Sequence, residues 1–265
     1  MLALAKSEGV ATNRQCWVYS FVFLVAMLLN AQDTLPVPPE NLAGAVANRS
    51  VPFVELLQQA EAGDKYAQYS VANAYAAGSG APKNDGEAVR WWLEAARQGF
   101  AEAQDRVGYL YERGKGVPKD HGEAVRWFSS AAEQQLPEAQ CNLAYMYKHG
   151  EGVPLDDARA ADLYGQAAAQ GLAVAQNDLG VAYERGAGVT KNATKAFNLY
   201  RLAAEQGNRA AQQNLGMMYF EGEGTVRNYP EALKWFSKAA NQVSLRLIAA
   251  WGTRMRTERV STEIP

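Results

Sequence analysis

Histidine and cysteine, the side chains most typical of transition-metal sites and nucleophilic catalysis, are few in this chain. The sequence holds two histidines, His121 and His149, and two cysteines, Cys16 and Cys141. Zinc binding and nucleophilic catalysis need such residues in clusters, for example two histidines one helical turn apart. The sequence contains no such pair, no cysteine cluster and no serine in a nucleophile elbow. We therefore predict that the protein is not an enzyme and uses no metal and no cofactor.

Glycines in Gly-x-Gly pairs recur along the chain, and a glycine-rich loop ahead of a helix can bind a phosphate group. Here each pair follows a predicted helix, which favours a structural stop. Asp156 and Asp157 are typical of a solvated turn at a helix start. Cys141 is predicted to be a partly exposed structural thiol, with a reactive thiol or an intermolecular disulfide as the alternatives. Catalytic residues brought together from distant parts of the chain would show no recognisable spacing in the sequence. A hydrolase is therefore the alternative function.

The composition describes a folded chain without a strong electrostatic field. Of the 265 residues, 48% are apolar, which is enough for a sizeable core. The formal net charge is −2, and positive and negative residues are mixed along the sequence. Such a chain does not attract nucleic acid over long distances. The predicted partner is another protein or peptide, and neither nucleic acid nor a small-molecule substrate.

The N-terminal residues have the character of a secretory signal peptide. Lys6 and Arg14 precede an apolar stretch at 16–29, and the small residue Ala31 follows it. This stretch of about fourteen residues is short for a membrane span, which needs roughly 20. We expect a signal peptide at 1–31, a Pro-rich linker at 32–52, and a periplasmic or secreted protein. The weaker alternatives are an uncleaved membrane anchor, which alone would make the membrane a partner, and a buried helix.

The main feature of the sequence is a 36-residue repeat that begins at Gly63 and occurs five times up to Gln242. Each copy has an Ala-Gln pair, then an apolar residue followed by a small one, then a tyrosine. The small residues are Ala72, Gly108, Ala144, Gly180 and Gly216, and the tyrosines are Tyr75, Tyr111, Tyr147, Tyr183 and Tyr219. This spacing places the recurring residues on one face of an amphipathic helix, which is the predicted first helix of each repeat.

Each first helix is expected to end at a glycine, and a second helix follows a short loop. The glycines are Gly78, Gly114, Gly150, Gly186 and Gly222; the residues expected to cap the second helices are Asn84, Asp120, Asp156, Asn192 and Asn228. Glu87, Glu123 and Glu231 add a capping-box pattern in three copies. The second helices carry paired large residues and then two alanines, so large side chains of one helix meet small ones of the next.

No single pair of helices can bury all its apolar surface, so the repeats must stack into a superhelix. The predicted fold class is an all-α, α/α superhelical solenoid of five helix-turn-helix repeats at 63–242 with capping half-repeats. The capping helices are expected at 53–62 and at 243–256, which gives twelve helices, and a frayed tail is expected at 257–265. Gln135 replaces the glycine that opens the other four repeats, which predicts some strain or an altered turn, and Thr190 and Val226 replace the loop proline. Gly180 follows the pattern, and it predicts a close helix crossing.

The motif A-Q-x-x-[LV]-[GA]-x-x-Y-x-x-G-x-G-V-P-x-[DN], clearest in the repeats around 100–134 and 172–206, resembles the Sel1-like repeat (SLR) family. The resemblance covers about two-thirds of the chain. It implies a relative of the tetratricopeptide solenoids that serves as a scaffold or adaptor. Bacterial members include exported envelope proteins and periplasmic immunity proteins that neutralise secreted toxins. One branch is described as hydrolysing β-lactams, but its paired cysteines are absent here.

By analogy with tetratricopeptide arrays, the first helices line a concave groove, and the residues between their packing positions point into it. These candidate partner-binding residues vary from repeat to repeat and include several types common at interfaces. They are Tyr66, Tyr69, Asn73, Glu102, Asp105, Tyr109, Glu112, Arg113, Glu138, Tyr145, Lys148, His149, Asn177, Glu184, Arg185, Met217 and Phe220. On this assignment Glu184→Ala should leave stability nearly unchanged, whereas Gly180→Val should destabilise the stack.

Overall fold

The computed structural model describes residues 52–240. Within this range it contains eleven helices and no strand. The helices are α1 (Phe53–Glu61), α2 (Lys65–Ala77), α3 (Asp85–Arg97), α4 (Ala101–Arg113), α5 (His121–Glu133), α6 (Pro137–His149), α7 (Asp157–Ala169), α8 (Ala173–Arg185), α9 (Ala193–Glu205), α10 (Arg209–Glu221) and α11, which is described over 229–240. The expected signal peptide, linker up to residue 51, C-terminal capping helix and tail lie outside the described residues.

Each helix packs against the helices that precede and follow it in the sequence. The first helices of the five repeats are α2, α4, α6, α8 and α10, and the second helices are α3, α5, α7, α9 and α11. Helix α1 precedes the first pair and packs against α2. The predicted fold class, an α/α solenoid of helix-turn-helix repeats, is confirmed.

Local side chains fix where the helices begin and end. The five Asn and Asp residues expected as caps accept a hydrogen bond from the backbone N–H three residues later, at 2.8–3.1 Å. The five glycines expected as stops have left-handed backbone. Glu87 and Glu123 pair with Arg90 and Arg126, one turn further along the helix. In every repeat, the backbone N–H of the cap also donates to the carbonyl of the recurring tyrosine, which closes the loop.

The tightest helix crossings place an aromatic ring of the second helix directly on the small residue of the first. A Cβ atom added to Gly180 would lie 2.7 Å from the Tyr200 ring. The same distance separates such an atom at Gly108 from the Phe128 ring. Tyr200 and Phe128 are fully buried by this packing. The expectation of a close crossing at Gly180 is confirmed.

A recurring glutamine joins three helices at the level of each repeat. In the second repeat, the Gln104 side chain donates to the carbonyl of Ala96 in α3 and accepts from Gln134 at the end of α5. The residues Gln68 and Gln176 make the same two bonds one repeat before and two repeats after. A buried amide needs such partners, because an unpaired one costs about 1–3 kcal/mol. The glutamines therefore fix the register between neighbouring repeats.

The third repeat departs from this pattern at its start. Gln135 has a φ of 66°, and it is the one residue other than glycine with positive φ in the described range. The equivalent glycines of the fourth and fifth repeats, Gly171 and Gly207, have φ values of 91° and 89°. In the same repeat, Gln140 donates to Gln166 rather than to a backbone carbonyl. The strain expected at Gln135 is therefore present in the backbone.

Gly180→Val should lower the free energy of unfolding by about 1–3 kcal/mol, because the new side chain meets the buried Tyr200 ring. Gly165→Ala is the matched control. Gly165 lies inside α7, and no atom of another residue lies within 4 Å of the place that its Cβ would take, so alanine should stabilise by about 0.5–1 kcal/mol through helix propensity. Denaturant unfolding measures both, and equal losses in the two variants would contradict the assigned packing.

Gln135→Gly should raise the free energy of unfolding by about 0.5–1 kcal/mol, because glycine adopts the positive φ without strain. The reverse exchange, Gly171→Gln, should lower it by a similar amount or more. Nothing lies within 4 Å of a Cβ at Gly171, so this loss would report backbone strain alone. Thermal unfolding of both variants tests the pair, and a destabilised Gln135→Gly protein would refute the strain.

Candidate functional site

The candidate site is the surface formed by the first helices. Counting Gly63 as position 1 of the first repeat, the predicted residues occupy positions 4, 7, 11, 14 and 15 of each repeat. These positions share one face of each first helix, since they are three or four residues apart or adjacent. We call this surface the first-helix face. Its exposed members at the end of the helices are Arg113, His149 and Arg185.

Aromatic side chains occupy the start of the first-helix face. The rings of Tyr66 and Tyr69 both meet the ring of Phe100 edge to face, with 5.1 Å between ring centroids in each case. Tyr66 is 59% exposed, whereas Tyr69 is buried. Such edge-to-face contacts add about 0.5–1.5 kcal/mol to apolar burial and hold the rings in place. Tyr66 is therefore an exposed aromatic side chain on a rigid support.

Cations and aromatic rings alternate in the middle of the face. The Tyr109 ring is buried beneath Arg113 and Lys115, whose charged groups lie 5.7 Å and 5.4 Å from its centroid. Arg113 also pairs with the buried Glu112 at 2.8 Å. One repeat further on, the exposed His149 stacks on Tyr145 with 4.2 Å between ring centroids.

Two predicted residues hold the helices of a repeat together through their polar atoms. Asn73 accepts a hydrogen bond of 3.0 Å from the indole N–H of Trp92. Glu184 accepts one of 2.5 Å from the hydroxyl of the buried Tyr200. Burial and this hydrogen bond raise the pKa of Tyr200. The expectation that Glu184 contributes little to stability is therefore wrong, because Glu184 is the partner of a buried hydroxyl group.

A row of polar pairs connects neighbouring first helices. The side chain at position 7 of one repeat forms a hydrogen bond with the side chain at position 8 of the next in two places. Asn142 donates to the Asp105 carboxylate at 2.8 Å, and Asn214 donates to the Asn177 carbonyl at 3.1 Å. We call these contacts the inter-repeat row. Direct contact between the first helices supports placing them on the inner side of the superhelix.

Burial is the largest cause of the pKa shifts of three side chains at position 7 of the first helices, Asp105, Cys141 and Tyr69. It raises the pKa of Asp105 to about 7, although the hydrogen bond from Asn142 opposes the shift. Burial also raises the pKa of the Cys141 thiol, and the nearby Asp178 carboxylate adds to that rise. The expectation that Cys141 is partly exposed is wrong, because its side chain is fully buried between helices, and burial holds the thiol in its unreactive protonated form. Burial raises the pKa of Tyr69, and the charge of Arg106 in the next repeat opposes it.

The structure divides the predicted residues into accessible and interior groups. Tyr69, Asp105, Tyr109, Glu112 and Asn177 are buried. The partly or fully exposed ones are Tyr66, Asn73, Glu102, Arg113, Glu138, Tyr145, Lys148, His149, Glu184, Arg185, Met217 and Phe220. A partner can reach mainly this second group. Asp105 and Asn177, at position 7, hydrogen-bond the adjacent first helix. Tyr69, at the same position, contacts Phe100 of the next repeat. Tyr109 and Glu112 instead contact Arg113 of their own helix. Partner contact by any of these residues stays a prediction.

Sequence reasoning missed position 8, which holds Ser70, Arg106, Asn142, Asp178 and Asn214. The signal was present, since this position is polar in all five repeats although it lies beside an apolar packing position. The two histidines contact different residues. His121 lies near Glu151, with 3.1 Å between Nδ1 and a carboxylate oxygen, while His149 stacks on Tyr145. Within 52–240, no group of three or more His, Cys, Asp or Glu residues is arranged to hold a metal ion.

None of the helices within the described range combines the length and apolar character that crossing a membrane requires.

Comparison with known proteins gives a consistent result. The model of the family described as the Sel1 repeat matches residues 65–100, 101–136, 137–172, 173–208 and 209–244. The chain is 38% identical to a protective antigen of uropathogenic Escherichia coli with an SLR fold, at a TM-score of 0.69; the match covers 72% of this chain and 41% of the antigen. It is 34% identical to a Sel1 repeat protein from Oxalobacter formigenes, at a TM-score of 0.68, over 72% of this chain and 76% of that one. No curated protein matches the chain.

Glu184→Ala should lower the free energy of unfolding by about 1–3 kcal/mol, because it leaves the buried Tyr200 hydroxyl without its acceptor. Tyr200→Phe removes that hydroxyl, so Glu184→Ala should cost much less when introduced into the Tyr200→Phe protein. A double-mutant cycle by denaturant unfolding measures this coupling. A loss of stability in the double variant equal to the sum of the losses in the two single variants would mean that the hydrogen bond contributes nothing.

Proposed function

The chain belongs to the Sel1 repeat family, and from that premise we propose that it is a non-enzymatic scaffold that binds another protein along its first-helix face. The Sel1 repeat is a protein-interaction fold. One observation carries the proposal for this face. The packing positions keep the same residue or one of similar size and character through five repeats, while the exposed positions of the first helices change from repeat to repeat. Variation on an otherwise uniform support is what recognition of a particular partner requires.

The chemistry of the face suits a protein partner. Its accessible residues combine aromatic rings, at Tyr66 and Tyr145, with the cations Arg113 and Arg185 and the flexible apolar side chain of Met217. Tyr, Arg and Met are enriched at protein interfaces. Tyr66 and Tyr145 are each held by a ring contact, so little conformational entropy is lost on binding. We therefore place the partner across the first to fifth repeats, beginning at Tyr66.

The cellular setting is part of the same proposal. The charged and apolar pattern of residues 1–31 supports export to the periplasm or the medium. Within that setting, the narrower form of the proposal is neutralisation of a secreted effector enzyme by stoichiometric binding. N-terminal sequencing of the protein recovered from the envelope or medium tests export, with a mature chain starting near residue 32 as the expected result. Recovery of only the intact chain from the cytoplasm would refute it.

Arg185→Glu should weaken partner binding by about tenfold or more, because it reverses a charge on the first-helix face. Arg201→Glu is the matched control, since Arg201 is an exposed arginine on the second helix α9. The protein is immobilised, and partners from the envelope fraction are captured and identified by mass spectrometry. Binding of the captured partner is then measured by calorimetry for both variants and for Tyr66→Ala. Equal affinity of all three and the wild type would rule out the first-helix face.

The same capture experiment distinguishes neutralisation of one effector from a general scaffold function. One partner bound stoichiometrically at nanomolar affinity supports neutralisation of an effector, whereas many weak partners support a general scaffold. Assays of the purified protein against β-lactams and muropeptides test the alternative hydrolase. Turnover that survives repurification and is lost on heat denaturation would overturn the non-enzymatic assignment.

A further inference from the structure

The pair formed by Asp105 and Asn142 is the most deeply buried polar contact between two repeats. Asp105 lies on α4 and is 2% exposed, and Asn142 lies on α6 and is fully buried. The Nδ2 group of Asn142 donates to Oδ1 of Asp105. The other polar atom of the same amide, Oδ1 of Asn142, is buried and has no hydrogen-bond partner among the described residues.

This arrangement is inconsistent with an ionised carboxylate. A carboxylate and an amide oxygen are both acceptors only, so Asn142 Oδ1 would stay unpaired beside a buried negative charge. A neutral carboxylic acid has one O–H donor. That donor can bond Asn142 Oδ1 while Asn142 Nδ2 bonds the other acid oxygen. Protonation therefore lets the two side chains satisfy each other in both directions.

The groups around Asp105 favour the neutral form. On its own helix, Glu102 disfavours the charge and Arg106 favours it. From α6, Glu138 disfavours it and the thiol of Cys141 is uncharged; from α2, the neutral Tyr69 interacts electrostatically with Asp105. The guanidinium of Arg106 lies over the Trp92 ring, 4.9 Å from its centroid, and its charge lowers the pKa of Asp105 without cancelling the effect of burial. Burial remains the largest influence, and it raises the pKa of Asp105 to about 7.

We propose that Asp105 is held as a neutral carboxylic acid whose hydroxyl donates to Asn142 Oδ1, and that this acid–amide pair is a pH-sensitive joint between the second and third repeats. When the acid ionises, its proton passes to solvent and the donor to Asn142 is lost. The joint then contains a buried charge and an unpaired amide oxygen, which weakens the contact between α4 and α6.

The chain itself contains a neutral counterpart of this joint. Asn177 and Asn214 occupy the same two positions in the fourth and fifth repeats, and they form an amide–amide hydrogen bond. The pair is 37 residues apart in the sequence, as are Asp105 and Asn142. An uncharged pair thus serves one joint, and Asp105 makes the equivalent joint titratable.

The direction of the pH effect follows from proton linkage. The folded protein binds the Asp105 proton more tightly than the unfolded chain, whose Asp titrates near its ordinary value of 3.8. The native state therefore carries more protons between about pH 4 and pH 7, and stability from this group falls as pH rises through that window. One proton corresponds to a rise of up to tenfold in the unfolding constant per pH unit.

The first experiment uses Asp105→Asn, which copies the Asn177–Asn214 joint. The melting temperature of the variant should exceed that of the wild type at pH 8, and the advantage should vanish or reverse at pH 5. Asp85→Asn is the control, because Asp85 is an exposed acid whose side chain is 73% accessible. The control should follow the wild-type curve. Parallel curves for the wild type and Asp105→Asn would overturn the proposal.

The second experiment observes the carboxyl group directly and does not depend on a stable variant. In the wild-type chain with 13C-labelled aspartate, the Asp105 carboxyl resonance should titrate with a midpoint near pH 7. A midpoint near pH 4 would show an ionised group at neutral pH, satisfied by a water molecule or a cation, and would refute the acid–amide pair. Asn142→Ala should move this midpoint, because it removes the acceptor of the proton, whereas Asn214→Ala should leave it in place.

Discussion

The fold depends on the packing of an aromatic second-helix side chain against a small residue of the first helix, a contact that the second, fourth and fifth repeats make through glycine. Where the small residue is glycine, the ring sits so close that a methyl group would overlap it. Close packing at this point brings the two helices of a repeat together and buries the paired alanines that follow. The apolar side chains of one repeat then pack against those of the next, and the array extends by repeating this contact.

Polar groups give this apolar stack its register. The recurring glutamines of the first four repeats make hydrogen bonds at both ends of the side-chain amide. Each second helix begins at a side-chain cap whose backbone N–H donates to the carbonyl of the recurring tyrosine. Burial of these groups carries a cost unless the bonds form, so a shifted register would be penalised. The hydrogen bonds therefore fix the register of the repeats, and the exposed first-helix positions take no part in it and can vary.

Some residues of the first-helix face also form hydrogen bonds with buried side chains of other helices. Glu184 lies on the first-helix face but bonds the buried Tyr200, and Asp105 lies on the same face but bonds Asn142 in the next repeat. Variation at such positions changes both the joints between repeats and the surface presented to a partner. The Asp–Asn joint and the Asn–Asn joint show that the chain varies these contacts without changing the helical frame.

Residue types at short, regular spacing were enough to predict the helices, their caps and stops, and the stacking order, whereas partner binding at the first-helix face stays a prediction. Gln135 is an example, since its replacement of a recurring glycine predicted strain that the backbone shows. The sequence could not separate interior from accessible members of that face. Asp105 and Arg113 both belong to the predicted set, but one contacts a helix 37 residues away and the other is exposed. Only the tertiary structure decided this, because the tilt between neighbouring first helices sets which side chains meet across the joint.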